Sequence, residues 1–431
     1  MKKKNDIDHL FGMSNECACG YIRAGAEVIE KTTCYPGRGA CLNAGAKSCC
    51  LGMPNSRLAF QLLFKKTAAL LTAFFFAGSL CSKPAMSEMI NLEGGKVDIN
   101  VQDNVTNIGV TGNPVWNVDH FNVAQGSIYN LTGLSSGASL AMLVGGGQVS
   151  NIFGTMNISN LAFILQNVYG INIGASGIVN LNQASLIAST LPLNLTATNF
   201  LTQQYSFGGG PGSLISNSGK IIGNNAELVA LISNAIENKG TIEVPMGTVV
   251  LAAGKTVTVG ISPDGMVSIG VDEATANSMG LKDQIKNTGT IEANGGKVIL
   301  NAQAVDGLFE KAINIQRSDK AVTAIRADDG TIEFKSIDDI YNAAIIQAQR
   351  GLIKVKSTQG AVTNAGTMDA AKGNIEIRTE GRIENAGIIR ASIFREHGST
   401  FNSNGVITGG KAYYDNTDGA ATSRSWSTAR A

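Results

Sequence analysis

The sequence predicts an all-β protein built mainly as a parallel β-helix. Three observations lead to this fold class: a repeat of about 20 residues, segments in which apolar and polar residues alternate, and an unusual composition. The chain has 51 Gly but only 8 Pro, and Val, Ile and Thr are plentiful. That composition is typical of many short strands joined by tight turns.

The repeat has the form apolar–x–Asn–x–Gly–x–apolar and lies in the C-terminal half. Asn217 and Asn238 are 21 residues apart, as are Asn364 and Asn385. A unit this short cannot bury an apolar face by itself, so successive units must stack as a solenoid. The candidate corner residues are the Asn and Gly of five copies: Asn217, Gly219, Asn238, Gly240, Asn287, Gly289, Asn364, Gly366, Asn385 and Gly387. Two weaker copies lie at residues 340–346 and 401–407.

The segments between the corners predict strands. Residues 296–300 and 374–377 alternate apolar and polar side chains and are rich in β-branched residues. The spacing of leucine-rich repeats is absent, and helix-pair repeats would be longer than this unit. The span from about residue 90 to 415 has room for about 15 rungs.

Two roles are open for the Asn-x-Gly corner. Gly permits the positive φ that a sharp corner often requires, and Asn tolerates the left-handed region. If the Asn side chains share one side with the apolar positions, their amides would stack about 4.8 Å apart and hydrogen-bond along the solenoid. Alternatively, the Asn and Gly mark exposed turns. The predicted fold class follows from either role.

The composition argues against several classes of function. A net charge of +1, with 16% charged residues, lacks the basic excess of a nucleic-acid-binding protein. Only two His, His120 and His397, and no Cys follow residue 87. A Cys nucleophile is therefore excluded there, and a His-based metal site or triad is not expected. We predict no catalytic residue, no cofactor and no metal.

Two alternatives need to be weighed against that prediction. The acidic pairs Asp328–Asp329 and Asp338–Asp339 could bind a hard cation such as calcium, although such pairs at turns are usually solvated. Polysaccharide lyases and hydrolases also use parallel β-helices, so a carbohydrate-active enzyme is the alternative function. Such enzymes need carboxylates converging on one groove, and no such cluster recurs one rung apart in the sequence.

The N-terminal part of the chain predicts export. Residues 53–66 contain three cations and precede an uncharged apolar run at residues 67–78, which is short for a membrane anchor. Small residues then predict cleavage between Ser87 and Glu88, so residues 53–87 form a predicted signal peptide.

The segment before the signal peptide holds six of the seven Cys at irregular spacings. We interpret residues 1–52 as a segment that is removed, or as sequence upstream of a start at Met53. The remaining cysteine, Cys81, offers a lipoprotein alternative, but Leu80 occupies a position that normally holds a small residue.

Four ordered motifs follow the signal peptide, and together they resemble the secretion domain of the filamentous-haemagglutinin family. The motifs are residues 116–123 (WNVDHFNV), 145–156 (GGGQVSNIFGTM), 167–174 (NVYGINIG) and 186–190 (LIAST). The resemblance continues through residues 249–257 and 265–271. One departure concerns the Asn-Pro-Asn-Gly-Ile signature of the family, whose Pro and second Asn are replaced by Val168 and Tyr169.

The resemblance implies a right-handed parallel β-helix whose N-terminal end is capped by extra strands of the secretion domain. It places the secretion domain at residues 88–305, followed by β-helix repeats at 306–415 and a tail at 416–431. It implies an adhesin-like exoprotein, secreted or held at the cell surface, that passes through the periplasm. Its partners would be an outer-membrane pore with periplasmic docking domains and glycans or proteins of host or neighbouring cells. Within the signature, Asn167, Gly170 and Ile171 are the residues expected to support recognition by strand addition.

Overall fold

The computed structural model describes residues 86–194, 202–262, 266–276, 278–319 and 322–416, with two further short strands. The predicted segment 1–52, the predicted signal peptide up to residue 85, and Cys81 therefore lie outside the described residues. The expected cleavage position falls inside the first strand.

All regular structure in the described residues is β-strand. The strands of the first half are β1 Met86–Gln102, β2 Val105–Val118, β3 Ile128–Gly133, β4 Ser139–Val144, β5 Ser150–Ile152, β6 Thr155–Ser159, β7 Ala162–Asn167, β8 Ile171–Ile173, β9 Ile178–Asn182, β10 Ser185–Ser189, β11 Leu193–Asn194, β12 Gln204–Gly208, β13 Leu214–Asn217, β14 Lys220–Asn224, β15 Leu228–Ser233, β16 Ala235–Asn238, β17 Thr241–Glu243, β18 Thr248–Ala253, β19 Thr256–Ile261 and β20 Val267–Glu273. The strands of the second half are β21 Asp283–Asn287, β22 Thr290–Glu292, β23 Lys297–Ala302, β24 Lys311–Ile315, β25 Thr323–Arg326, β26 Thr331–Ser336, β27 Ile340–Asn342, β28 Ile345–Gln347, β29 Leu352–Ser357, β30 Val362–Asn364, β31 Thr367–Arg378, β32 Ile383–Asn385, β33 Ile388–Gly398, β34 Phe401–Ser403, β35 Val406–Asn416, β36 Ala421–Thr422 and β37 Trp426–Ser427.

The strands stack in parallel on three faces, so the predicted parallel β-helix is confirmed. In one rung, β14 lies on face 1, β15 on face 2 and β16 on face 3, and β17 returns to face 1 directly above β14. Face 3 is an 11-stranded sheet. Faces 1 and 2 form one 22-stranded sheet, because long strands such as β31 bend from one face onto the other.

Face 2 contains twelve stacked strands from β2 to β35, fewer than the rungs expected from length alone. The difference arises because part of the chain leaves the helix. Strands β11, β12, β19 and β20 form a separate four-stranded antiparallel sheet. Two short strands, β36 and β37, continue faces 3 and 1 past the expected end of the helix at residue 415.

The N-terminal cap is an antiparallel hairpin. Strand β1 pairs along the length of β2, whose other neighbours, β3 and β4, are parallel to it. Because an unpaired first rung would expose a row of backbone N–H and C=O groups, the hairpin protects that end from pairing with other chains.

The core is built from columns of like side chains. On face 1, Ile221, Ile242 and Ile291 lie in register on successive rungs and are fully buried. Each such side chain contributes about 1.5–3 kcal/mol when it is removed from water. A second apolar core lies outside the helix, where Tyr205 and Phe207 of the four-stranded sheet cover the outer side of face 2. Strands β15 and β18 are therefore buried on both sides.

Candidate functional site

The predicted secretion motif begins at the end of β7, where Asn167 is fully buried. Its Nδ2 donates to the carbonyl of Gln148 at 2.8 Å and to Oγ of Ser150 at 2.9 Å. Its Oδ1 accepts a hydrogen bond from the Tyr169 N–H at 2.9 Å. The side-chain amide therefore connects two rungs and also closes its own turn. Its donor and its acceptor both have hydrogen-bond partners.

Gly170 completes that turn in a conformation that favours glycine. Its φ is +127°, and its N–H donates to the Asn167 carbonyl at 3.1 Å. A Cβ placed there would lie 3.1 Å from Ser213 Oγ and 3.3 Å from Val149 Cγ2. The next residue, Ile171, is buried and begins β8 on face 3.

The two residues that depart from the family signature lie on the outside of this turn. Val168 is half-buried and Tyr169 is 46% exposed. The turn is held by Asn167 and Gly170, so replacing the outward residues leaves its hydrogen bonds intact.

Three exposed apolar side chains lie in or beside the motif, and nothing in the sequence links them as a group. Val149 and Phe153 are each 39% exposed, as is Tyr169 at 46%. Phe153 lies one rung from the motif and covers Gly174, where a Cβ would fall 2.2 Å from the Phe153 ring. We call Val149, Phe153 and Tyr169 the motif patch. Val149 lies beside Gly170 and Phe153 beside Gly174, so exposed apolar side chains lie at both ends of the motif.

The corner asparagines lie inside the helix and not at exposed turns. In the first run, Asn217 Nδ2 donates to Asn238 Oδ1 at 2.8 Å, and Asn238 Nδ2 donates to Asn287 Oδ1 at 2.7 Å. All three side chains are fully buried. The amides therefore form a hydrogen-bonded ladder along the solenoid axis.

A second run of the same ladder occupies the later rungs. Its members are Asn342, Asn364, Asn385 and Ser403, joined by bonds of 2.8, 2.8 and 3.1 Å. The two runs are separated by Ile315, which is in register with Asn287 below and Asn342 above. An apolar residue can fill one rung because the neighbouring amides still bond to backbone groups, as Asn287 Nδ2 does to the Gly289 carbonyl at 3.3 Å.

The expected positive φ at the corner glycines is wrong. Gly219, Gly240, Gly289, Gly366 and Gly387 all have negative φ or extended backbone. What excludes a side chain is the rung beneath: a Cβ on Gly289 would lie 2.1 Å from the carbonyl oxygen of Gly240. The glycines allow stacked corners to approach closely, a requirement set by neighbouring rungs and not by the local turn.

Two further polar ladders lie on the outside of the β-helix within residues 88–305, the predicted secretion domain, and were not predicted. On face 1, Asn107, Asn130, Asn157 and Asn180 are joined by bonds of 2.8, 2.8 and 2.9 Å between residues 23, 27 and 23 positions apart. On face 3, Asn172 Nδ2 donates to Asn151 Oδ1 at 3.0 Å. The spacing of the Asn residues was the available signal, but these positions lack the Gly of the repeat.

Three of the four candidate cation ligands, Asp328, Asp329 and Asp339, are engaged by cationic or amide groups of the protein. Burial acts to raise the pKa of Asp328, but hydrogen bonds from the Gln349 N–H, Arg326 and Gln347 outweigh it and lower that pKa. Asp329 is paired with Arg350, whose hydrogen bond lowers the pKa of Asp329.

Burial and the neighbouring Asp306 raise the pKa of Asp338. Asp339 is paired with Lys311 at 2.7 Å. Within the described residues, no group of three or more His, Cys, Asp or Glu side chains is arranged to hold a metal. The part of the chain that the structure describes also contains no helix long and apolar enough to span a membrane.

Comparison with solved structures identifies secretion domains with a similar fold. The HMW1 secretion domain from Haemophilus influenzae aligns with a TM-score of 0.53 and 18% identity, covering 77% of this chain and 98% of that chain. The filamentous hemagglutinin secretion domain aligns with a TM-score of 0.39 and 12% identity, covering 76% and 96%. No protein-family model matches the sequence, and no curated protein matches it. The HMW1 comparison confirms, at the level of fold, the resemblance noted in the sequence.

Proposed function

We propose that this chain is an exoprotein of a two-partner secretion system, with residues 88–305 as its secretion domain. The observation that carries the proposal is the similarity of fold to the HMW1 secretion domain, which extends over 98% of that domain. The ordered motifs between residues 116 and 190 and the predicted signal peptide at residues 53–87 support the same function.

The proposed partner is an outer-membrane pore with periplasmic docking domains. Recognition of an extended chain by strand addition uses main-chain hydrogen bonds for affinity and side chains for specificity. In this proposal the segment around Asn167, Gly170 and Ile171 is bound before it folds, and Tyr169 within the segment supplies an apolar side chain to the same contact. Folding outside the cell then draws the chain outward, because each rung stacks on a rung that has already formed.

We further propose an adhesin-like role at the cell surface, with ligands on host or neighbouring cells. The faces of a solenoid are long, regular surfaces suited to extended binding partners. In the surface pocket lined by Asp283 and Glu310, both carboxylates are already engaged, Glu310 by Lys282 at 2.7 Å and Asp283 by Asn314 at 2.8 Å. The described residues therefore give the polysaccharide-degrading alternative little support. Among the described residues, Glu396 is the carboxyl whose pKa is raised to about 7, and it is buried inside the helix.

Export with and without the pore tests the proposal. Residues 53–431 are co-expressed with the proposed outer-membrane pore, and protein in the medium is measured. We expect release with the intact pore and periplasmic retention with a pore that lacks its docking domains. Release that is equal in the two strains would contradict two-partner secretion. The fragment 53–305 should be released by the intact pore as well, since the addressing information is proposed to lie within it.

A further inference from the structure

A column of cations lies on the outer side of face 2 in the later rungs. Lys335, Lys356 and Arg378 are in register on β26, β29 and β31 and are all exposed. Parallel neighbours are separated by about 4.8 Å, so three positive charges follow one another at the pitch of the helix. We call these three residues the cation ladder.

The cation ladder has no carboxylate partner in the part of the chain described. The neighbouring column on the same face is paired differently: Glu333 forms an ion pair with Lys297 at 3.4 Å, and Glu376 with Arg395 at 3.6 Å. Like charges directly opposite each other on adjacent strands are destabilising. An arrangement that is unfavourable for folding and is left unneutralised indicates a binding role for the charges.

The position of the ladder in the fold limits the shape of its ligand. The four-stranded sheet covers face 2 as far as β23, where Ile299 is 6% exposed, and the face is bare from β26 onward. At the other end of the column, His397 lies in register with Arg378, and its Nδ1 is 3.0 Å from a carboxylate oxygen of Asp415. The uncovered cations therefore form a line along the helix axis on an open face, which suits a linear ligand with several anionic groups.

We propose that the cation ladder binds a linear anionic polysaccharide lying along the helix axis. Carboxylate or sulfate groups of the polymer would pair with Lys335, Lys356 and Arg378, since guanidinium and ammonium groups form charge-assisted hydrogen bonds with such oxyanions. The adjacent column of Glu333, Lys354 and Glu376 supplies acceptors and donors for sugar hydroxyls. The inference deepens the proposed surface role by naming a class of ligand, and it rests on that role because such polymers are met outside the cell.

A polysaccharide fits this surface better than a nucleic acid. Single-stranded nucleic acids need aromatic side chains on which bases stack, and the cation ladder and its neighbouring column contain none between β26 and β31. Tyr413, which continues the neighbouring column on β35, is occupied by the Arg395 guanidinium, 5.3 Å from the ring centroid.

Binding of defined polymers to purified full-length protein tests the inference independently of export. The probes are heparin, polygalacturonate, neutral dextran and a single-stranded oligonucleotide. The variant combines Lys335→Gln, Lys356→Gln and Arg378→Gln. The charge-matched control combines Lys220→Gln, Lys239→Gln and Arg382→Gln, at exposed positions off face 2.

We expect heparin or polygalacturonate to bind the parent protein, with affinity falling as salt rises, and dextran not to bind. The ladder variant should lose about tenfold or more in affinity while the control variant keeps that of the parent. The ladder variant should also unfold at no lower temperature than the parent, because the substitutions remove repulsion. Equal losses in both variants, no binding of either acidic polymer, or tighter binding of the oligonucleotide than of both polysaccharides would overturn the proposal. The preferred polymer distinguishes sulfate from carboxylate ligands.

Discussion

At the scale of single residues, buried amides couple one rung to the next. An Asn in the ladder must find partners for a donor and an acceptor away from water, and its neighbours above and below supply them. The ladder of Asn130, Asn157 and Asn180 on the outside of face 1, here called the outer ladder, makes similar bonds, but its amides remain accessible to water. The same side chain should therefore matter much more inside the helix than outside it.

Replacing Asn238 by Ala tests that difference. The substitution leaves Asn217 Nδ2 and Asn287 Oδ1 without their ladder partners in the core, so the free energy of unfolding should fall by about 2–4 kcal/mol. The matched control is Asn157→Ala in the outer ladder, which also has two ladder bonds and should cost less than about 1 kcal/mol because water replaces them. Denaturant unfolding measures both. Equal costs would contradict the role assigned to the buried amides.

A second residue-scale prediction concerns the secretion motif. Gly170→Val should reduce export more than Asn167→Ala, because every L side chain is strained at the φ of +127° and a β-branched one most of all. The added side chain would also press on Ser213 and Val149. Protein in the medium is measured for both variants with the partner pore present. Unchanged export and unchanged thermal unfolding of the Gly170→Val protein would show that this turn has no role in either process.

At the scale of a strand, β33 carries a polar group into the core. Glu396 lies in register with Ile377 and Tyr414, at a position that points into the helix, and is 3% exposed. Burial raises its pKa to about 7, although a hydrogen bond from the Asp415 backbone and the nearby His397 act in the opposite direction. The last rungs therefore contain a carboxyl that is more easily accommodated when it is protonated.

The stability of these rungs should depend on pH. The folded state holds the proton of Glu396 more tightly than the unfolded chain does, so its contribution is fully present below pH 4.5 and is lost as pH rises through about 7. The loss by pH 8 should be on the order of 3 kcal/mol. Glu396→Gln should remove that part of the pH dependence and leave the His397–Asp415 pair in place.

Hydrogen exchange of β33 and β35 at pH 5 and pH 8 measures the effect, because local opening reports the stability of those strands. The exposed Glu380→Gln serves as the control. A Glu396→Gln protein whose protection at these strands still falls by the parental amount between pH 5 and pH 8 would exclude Glu396 as the cause.

At the scale of the whole molecule, each rung contacts its neighbours and little else. Stability is then close to a sum of rung and interface contributions, and whole rungs are interchangeable units. Residues 364–366 and 385–387 both read Asn-Ala-Gly and lie in the same column. Deleting residues 365–385 therefore removes one rung and restores the same corner sequence at the junction.

We expect the protein lacking residues 365–385 to fold, with a sharp unfolding transition and a modest loss of stability. Deleting residues 365–375 removes only about half a rung. The later strands would then lie opposite corners and not opposite strands, so the later rungs should not stack. Circular dichroism and thermal unfolding compare the two proteins. If both deletions fold equally well, or neither folds, rungs are not the units of stability.

How far the sequence anticipated this structure depends on which residues determine each feature. The position of Asn217 and its copies predicted stacked rungs, and their alternation with apolar residues allowed a buried ladder. The count of rungs was too high, because nothing in strands β12, β19 and β20 distinguishes them from helix strands until they are seen to pair antiparallel with one another. The positive φ expected for Gly289 and its equivalents failed because their constraint comes from a different rung.

The sequence by itself determined that this is a parallel β-helix of short rungs, because a repeat too short to bury its own apolar face can only stack. It also predicted the turn at Asn167 and Gly170. There the Asn side chain accepts a hydrogen bond within the turn and the Gly has a positive φ, so both requirements are local. Only the tertiary structure decided which side chains meet across rungs. The cation ladder, the motif patch and the covered half of face 2 join residues about 20 or more positions apart, and their contacts depend on the register of the stacked strands. Insertions between rungs change the number of residues between two paired positions, but the strands still stack in the same register. Residue spacing alone therefore could not predict these surfaces.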